Sequence, residues 1–181
     1  PQKKLNNVYE GMALTKVYIE NICKFYAKRS NTKFSVLRHT NMYGPHDKFE
    51  NINSHFMASA ITKSRYASKK LILWGSGKEK RDFLYIEDLC SAIKNVIDKQ
   101  KIKFDLVNIS YGKAFSIKNI VGKIRKITRK NYNIFFDKRK PSIKINILID
   151  NSKMVKKYGW KPKTSIDEGI KKTVYWYTNN F

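Results

Sequence analysis

Arg81-Asp82-Phe83-Leu84-Tyr85-Ile86-Glu87-Asp88 decides the fold class, because within eight residues the chain passes from extended backbone into helix. Arg81 to Tyr85 reads as extended. Glu87 and Asp88 then occupy a first helical turn, where carboxylates favour the positive end of the helix dipole. The stripe behind them, Ile86, Leu89, Cys90, Ile93, Val96 and Ile97, has helical spacing and is expected to face a core. Leu106 to Ile109 follows as another short strand. Strand, helix and strand in succession imply an α/β protein with some parallel sheet.

The pattern extends in both directions. Glu10 to about Arg29 reads as a helix, with Met12, Thr15, Val17, Ile22, Phe25 and Tyr26 spaced mostly three to five apart and no proline. Phe34 to Leu37 predicts a buried strand and Thr40 to Asn53 a polar loop. Asn53 or Ser54 is suited to cap a helix running to about Ser68. Leu71 to Trp74 predicts a strand, and Gly75-Ser76-Gly77 a hairpin turn, since glycine accepts positive φ. Gly75 to Lys78 superficially suggests a phosphate loop, but Ile72 and Glu79 stand where that pattern needs Gly and Ser or Thr. Ser116 caps an amphipathic helix with Ile117, Ile120, Val121, Ile124 and Ile127 on one face. Ile134 to Phe136 predicts a strand, Asn151 to Tyr158 a helix ended by Gly159, and Ser165 opens a last helix.

Composition bounds the function. The 181 residues carry a formal charge of +24, which raises a nucleic-acid partner as a class. Arg forks, which read phosphates and bases, number only 7 against 31 Lys, and the lysines are spread over every segment, so such a partner is disfavoured. No apolar run reaches membrane-spanning length. Cys23 and Cys90 are too few for a disulfide framework and read as reduced, buried thiols in a cytoplasmic protein. The histidines, His39, His46 and His55, show no metal-ligand pattern, so no metal is expected.

Five motifs in order carry a resemblance. They are Tyr43-Gly44-Pro45 after a Thr40-Asn41 pair; Asn53-Ser54-His55; Trp74-Gly75-Ser76-Gly77; Arg81-Asp82-Phe83-Leu84 with Asp88; and Tyr158-Gly159-Trp160 after Asp150. The chain resembles the extended short-chain dehydrogenase/reductase (NAD-dependent epimerase/dehydratase) family over essentially its whole length. Asn41 to Asp47 and Asn53 to His55 are similar to the GDP-L-fucose synthases in particular. The resemblance implies the C-terminal part of a Rossmann-type doubly wound parallel sheet plus a smaller α/β substrate-binding domain. Residues 1–52 and 81–112 would belong to the first, and 53–80 and 113–181 to the second. Such enzymes begin with a strand and a glycine-rich turn that holds the cofactor pyrophosphate. No such turn follows Pro1, so the chain looks like the C-terminal part of a longer enzyme.

The resemblance also implies roles. Lys16 would bind the ribose hydroxyls of NADP or NAD, although by itself it is an ordinary helix lysine. Four residues before it, Met12 stands where the family carries an acidic tyrosine; on its own it reads as a core residue. A thioether transfers no proton, and some nucleotide-sugar 4,6-dehydratases resemble this variation. Asn41 and Met42 would border the nicotinamide. His55 would act as acid/base on the substrate and also border the cofactor; the plain alternative is a helix-start histidine bonded to backbone. Lys63, Trp74 and Arg81 match substrate-contact positions, Arg81 suiting a diphosphate, while Trp74 reads equally as core. Ser142 and Ile147 replace an Asp and a basic residue that contact the nucleotide. The expected activity is that of an NAD(P)-dependent nucleotide-sugar epimerase/reductase acting on a GDP-4-keto-6-deoxymannose-type substrate as a homodimer. A 4,6-dehydratase, a non-redox epimerase or a non-catalytic paralogue are the alternatives.

Overall fold

The computed structural model of the chain describes residues 10–50, 54–140 and 146–181, and the expectations for Asn53 and Ser142 lie outside them. Helix α1 (Glu10–Arg29) leads into β1 (Phe34–His39), which runs parallel to β5 (Phe104–Ile109) with Phe34 opposite Phe104 and His39 opposite Ile109. Strand β4 (Lys80–Tyr85) is shared. Its second half pairs in parallel with β2 (Asn41–Tyr43), and its first half pairs antiparallel with β6 (Ala114–Ser116). A separate parallel pair is formed by β3 (Lys70–Trp74) and β7 (Asn133–Asp137). The remaining helices are α2 (Phe56–Tyr66), α3 (Ile86–Lys99), α4 (Ile117–Thr128), α5 (Ser152–Tyr158) and α6 (Ile166–Asn180). The protein is thus a mixed α/β structure with parallel sheets.

Alternation along β4 makes it a wall between two cores, since successive side chains of a strand leave on opposite faces. Phe83 and Tyr85 enter one core with Met57 and Ile61 of α2, Leu71 and Leu73 of β3, the stripe of α4, and Ile170 and Tyr177 of α6. Leu84 enters the other, with Leu89, Ala92 and Val96 of α3, Val107 and Ile109 of β5, and Met154, Tyr158 and Trp160 from around α5. Each fully buried aliphatic side chain contributes roughly 1.5–3 kcal/mol. Tyr43 crosses from β2 over Gly169 of α6, where the space for a Cβ is already taken by the Tyr43 phenol, so this position of α6 has to be glycine.

Polar staples join the cores to the chain's C-terminal part. Asp88 accepts the backbone N–H groups of Lys163 and Thr164, each at 3.0 Å. Asp105, buried at the start of β5, accepts from Lys153 at 2.5 Å, Lys157 at 2.6 Å and the Tyr158 hydroxyl at 2.6 Å. Burial pushes its carboxyl up, but those three donors outweigh burial and bring it down to about 2. Ser116 and Ser165 cap α4 and α6 through the N–H groups of Asn119 and Glu168, and Gly159 ends α5 in the left-handed conformation.

Several expectations are corrected. The loop after Thr40 contains strand β2, and β6 is a further strand; both are three-residue segments stabilised by pairing with β4. Gly75 and Gly77 do adopt positive φ, yet their turn closes no hairpin, because β3 pairs with β7 and the chain moves on to another sheet. His55, without a side-chain cap bond, is the N-cap of α2 rather than Ser54. The face of α3 that is buried is Asp88, Leu89, Ala92 and Val96; Cys90, Ile93 and Ile97 are exposed, and Cys23 is half-buried. On α1 only Ala27 is buried, and Met12, expected in a core, is 56% exposed. In both helices part of the apolar surface meets no covering element among the described residues.

Candidate functional site

The site begins at Thr40, where the chain changes sheets. Its N–H donates to Ile109 O at 3.0 Å, completing the β1–β5 ladder. Its hydroxyl and the Asn41 side-chain amide both donate to Asp82 O, at 3.1 and 3.0 Å, which attaches the next residues to β4. The Asp82 carboxylate accepts the N–H groups of Tyr111 and Gly112, each at 2.9 Å, and so fixes the turn that follows β5. Burial pushes this carboxyl up, opposed by those backbone donors and Thr40. Open α/β sheets leave a crevice at strand C-termini where neighbouring strands diverge.

A cavity of about 500 Å³ opens there. His39, Thr40, Asn41 and Met42 form one side, and Ser54 to Met57, at the start of α2, form another. Arg81, Phe83, Ile147 and Ile149 complete the lining. Arg81 is held by backbone pairing on both sides, with Phe115 of β6 and with Ile147, and its guanidinium stands 5.9 Å over the Phe56 ring. Its Nε is buried and finds no acceptor in the structure. A guanidinium lining a cavity suits an anionic oxygen such as a phosphate. Ile147, expected in place of a basic residue, makes the wall beside Arg81 apolar.

His55 presents an imidazole whose side chain is 67% exposed, with Nδ1 at 3.1 Å from Asp47 Oδ1. Asp47 ends the Asn41–Asp47 run, and an eight-residue separation across a loop gives no periodicity that would point to His55 as its partner. The bonds of Thr40 and Asp82 likewise reach partners far along the chain, which their own motifs do not indicate.

Of the residues singled out from sequence, Asn41, Met42, His55 and Arg81 line this cavity. Lys16, Lys63 and Trp74 do not. Lys16 is exposed on α1 and Lys63 on α2. Trp74 ends β3 and is 59% exposed, which removes it from the core; Lys140 Nζ lies 6.0 Å from its ring. Among the described residues no cluster of His, Cys, Asp or Glu could hold a metal ion, and no helix is long and apolar enough to cross a membrane.

A dinucleotide fits this surface in part. The backbone from His39 to Met42 and the side chains of Met42 and Phe83 offer a mixed wall to a flat ring at the strand ends. Its pyrophosphate finds no seat at the β4-to-α3 junction, where Glu87 and Asp88 would repel it.

Comparison with known proteins agrees with this geometry. Residues 4–110 match the NAD dependent epimerase/dehydratase family. GDP-L-fucose synthase of Sinorhizobium fredii is 32% identical over 175 residues, 94% of this chain and 55% of that protein. GDP-L-colitose synthase of Yersinia pseudotuberculosis is 29% identical over 181 residues, 97% of this chain and 58% of that protein. The crystal structure of a GDP-6-OMe-4-keto-L-xylo-heptose reductase from C. jejuni shares the fold, with a TM-score of 0.87 at 21% identity over 99% of this chain and 64% of that one. The chain spans a little over half the length of the curated relatives it matches. Matched through more than half of its residues, the chain belongs to the NAD dependent epimerase/dehydratase family.

Proposed function

We propose that this chain forms part of an NAD(P)-dependent nucleotide-sugar epimerase/reductase of the GDP-L-fucose synthase type, acting on a GDP-4-keto-6-deoxymannose-type substrate. The observation that carries the reading is one cavity lined by both an imidazole, His55, and a guanidinium, Arg81. The curated relatives support it, since both are named as synthases of GDP-sugars.

In this reading Arg81 holds the diphosphate and delivers the sugar to His55. The imidazole takes a proton from a carbon next to the ketone, the electron pair moves onto the ketone oxygen as an enolate, and inversion is completed when an acid of the further N-terminal part delivers a proton to the opposite face of that carbon while the enolate collapses back to the ketone. A positioned acid/base of this kind contributes roughly 10²–10⁴-fold. Lys63 and Trp74 add substrate contacts. Asn41 and Met42 border the cofactor ring, which when bound supplies hydride for the reduction. Lys16 seats the cofactor ribose. Glu20, one helical turn (about 6 Å) further along α1, grips Arg38 beside His39 at the cavity edge. Residues 1–52 and 81–112 serve the cofactor and 53–80 and 113–181 the substrate, a pyrophosphate-binding turn is supplied by a further N-terminal part, and the enzyme is a cytoplasmic homodimer.

Met12 favours a second reading, a 4,6-dehydratase or a non-redox epimerase, because a thioether transfers no proton to a ketone oxygen. Both readings are tested by incubating the full-length protein with GDP-4-keto-6-deoxymannose and NADPH in deuterated water. Deuterium in the sugar together with NADPH consumption is expected. Deuterium without NADPH consumption moves the assignment to the second reading, and neither signal overturns both.

A further inference from the structure

We propose that Asp47 is the positioning residue of His55, holding the imidazole as the Nδ1–H tautomer so that Nε2 is the bare, basic nitrogen. The inference deepens the function proposed above and rests on it for its catalytic purpose.

Four observations carry it. The first is the contact itself, His55 Nδ1 to Asp47 Oδ1 at 3.1 Å. A carboxylate only accepts, so Nδ1 is the donor, and in a neutral ring the lone pair is then left on Nε2. Second, Asp47 is the better-anchored partner. Its side chain is 11% exposed against 67% for His55, and its Oδ1 also accepts the Lys48 N–H at 2.8 Å.

Third, Asp47 Oδ2 is buried and meets no donor in the structure. A buried carboxylate oxygen without a donor is costly, and the group gains from a strongly polarised N–H at its other oxygen. The fourth observation is that the segment around Asp47 is pinned from both sides. The His46 ring lies 4.5 Å from that of Trp176. Phe49 stacks on Tyr177 at 4.7 Å, and the Phe49 carbonyl accepts from the Thr62 hydroxyl at 3.1 Å. Thr62 lies on the helix that His55 caps, so the carboxylate and the imidazole are tied to a common support. The arrangement follows the general logic by which a carboxylate orients a catalytic imidazole.

The test reads the tautomer directly. The chain is labelled with ¹⁵N-histidine, and the His55 ring nitrogens are followed by NMR at a pH where the ring is neutral. The wild type is expected to show protonated Nδ1 and bare Nε2. In Asp47→Asn that preference weakens, because an amide can donate as well as accept, and in Asp47→Ala the Nε2–H form takes over. Asp47→Glu restores it in part. Backbone amide spectra matching the wild type show that the fold is kept, and the Asn variant serves if the Ala variant unfolds. An unchanged tautomer in a folded Asp47→Asn or Asp47→Ala chain overturns the inference. In the full-length enzyme Asp47→Asn lowers kcat for solvent exchange into the sugar and leaves KM within about twofold. A full-length enzyme that exchanges no sugar proton overturns the proposed function, while the tautomer result decides the positioning separately.

Discussion

Helices α4 and α1 look like equal members of one fold in the sequence, and the structure treats them oppositely. In α4 the apolar residues form a single stripe, and Ile117, Ile120, Val121 and Ile124 are all buried against α2, α6 and the sheets. In α1 they are distributed around the helix; Leu14, Tyr18, Ile19 and Phe25 are exposed, and only Ala27 is buried. A single stripe needs one neighbour to cover it, whereas a helix apolar all round needs several. The cavity is built from the ends of β1 and β2, the start of α2, β4 and the Ile147–Ile149 segment; His55 and Arg81 line it, and Asp47 bonds to His55. No residue of α1, which carries Lys16, lines that cavity, and the chain spans little more than half the length of its curated relatives.

The contrast can be broken or sharpened by measurement. If the cavity carries proton transfer, His55→Gln in the full-length enzyme lowers deuterium incorporation into the sugar by roughly 10²–10⁴-fold. A loss below tenfold moves the chemistry elsewhere. Next in size is the packing of α4. Ile124→Ala, at a fully buried position, is expected to destabilise the chain by about 2–5 kcal/mol in urea denaturation.

Asp105 gives a smaller effect, expressed through pH. Its carboxyl is depressed in the folded chain relative to an unfolded aspartate, so its contribution is present above the unfolded value. It is lost as pH falls from about 4 through about 2. Lys153 and Lys157 are partly exposed, which screens these pairs to roughly 1 kcal/mol. In Asp105→Asn this component of the acid denaturation curve disappears; an unaltered curve would show that α5 is held by its apolar contacts alone. The smallest effect belongs to α1: Ile19→Ser should change the stability of this chain by no more than about 0.5 kcal/mol. A cost matching that of Ile124→Ala would erase the distinction between the two helices.

Features that depend on neighbours in sequence were legible. The Ser116 and Ser165 caps, the Gly159 stop, the positive φ of Gly75 and Gly77 and the stripe of α4 all follow from local sterics and spacing. Strands β2 and β6 were not, because three residues carry no usable alternation and owe their extended state to β4. The role of Asp82 was hidden for a similar reason. Its carboxylate bonds to backbone 29 and 30 residues away, and nothing in Arg81-Asp82-Phe83 tells where those donors are. The approach of Asp47 to His55 depends on how the intervening loop closes, which the residues of the Asn41–Asp47 run do not show.

Periodicity, caps and glycine positions were enough to establish an α/β protein, most of its element boundaries and its family resemblance, because each acts over a few residues of chain. Which strands pair, which apolar faces find cover, and that Arg81, His55 and Asp47 gather at the end of β1 were settled only by tertiary packing. Burial and long-range hydrogen bonding depend on surfaces contributed by distant segments. An exposed Met12 and a buried Ile124 differ in the company the fold brings to them more than in their own chemistry.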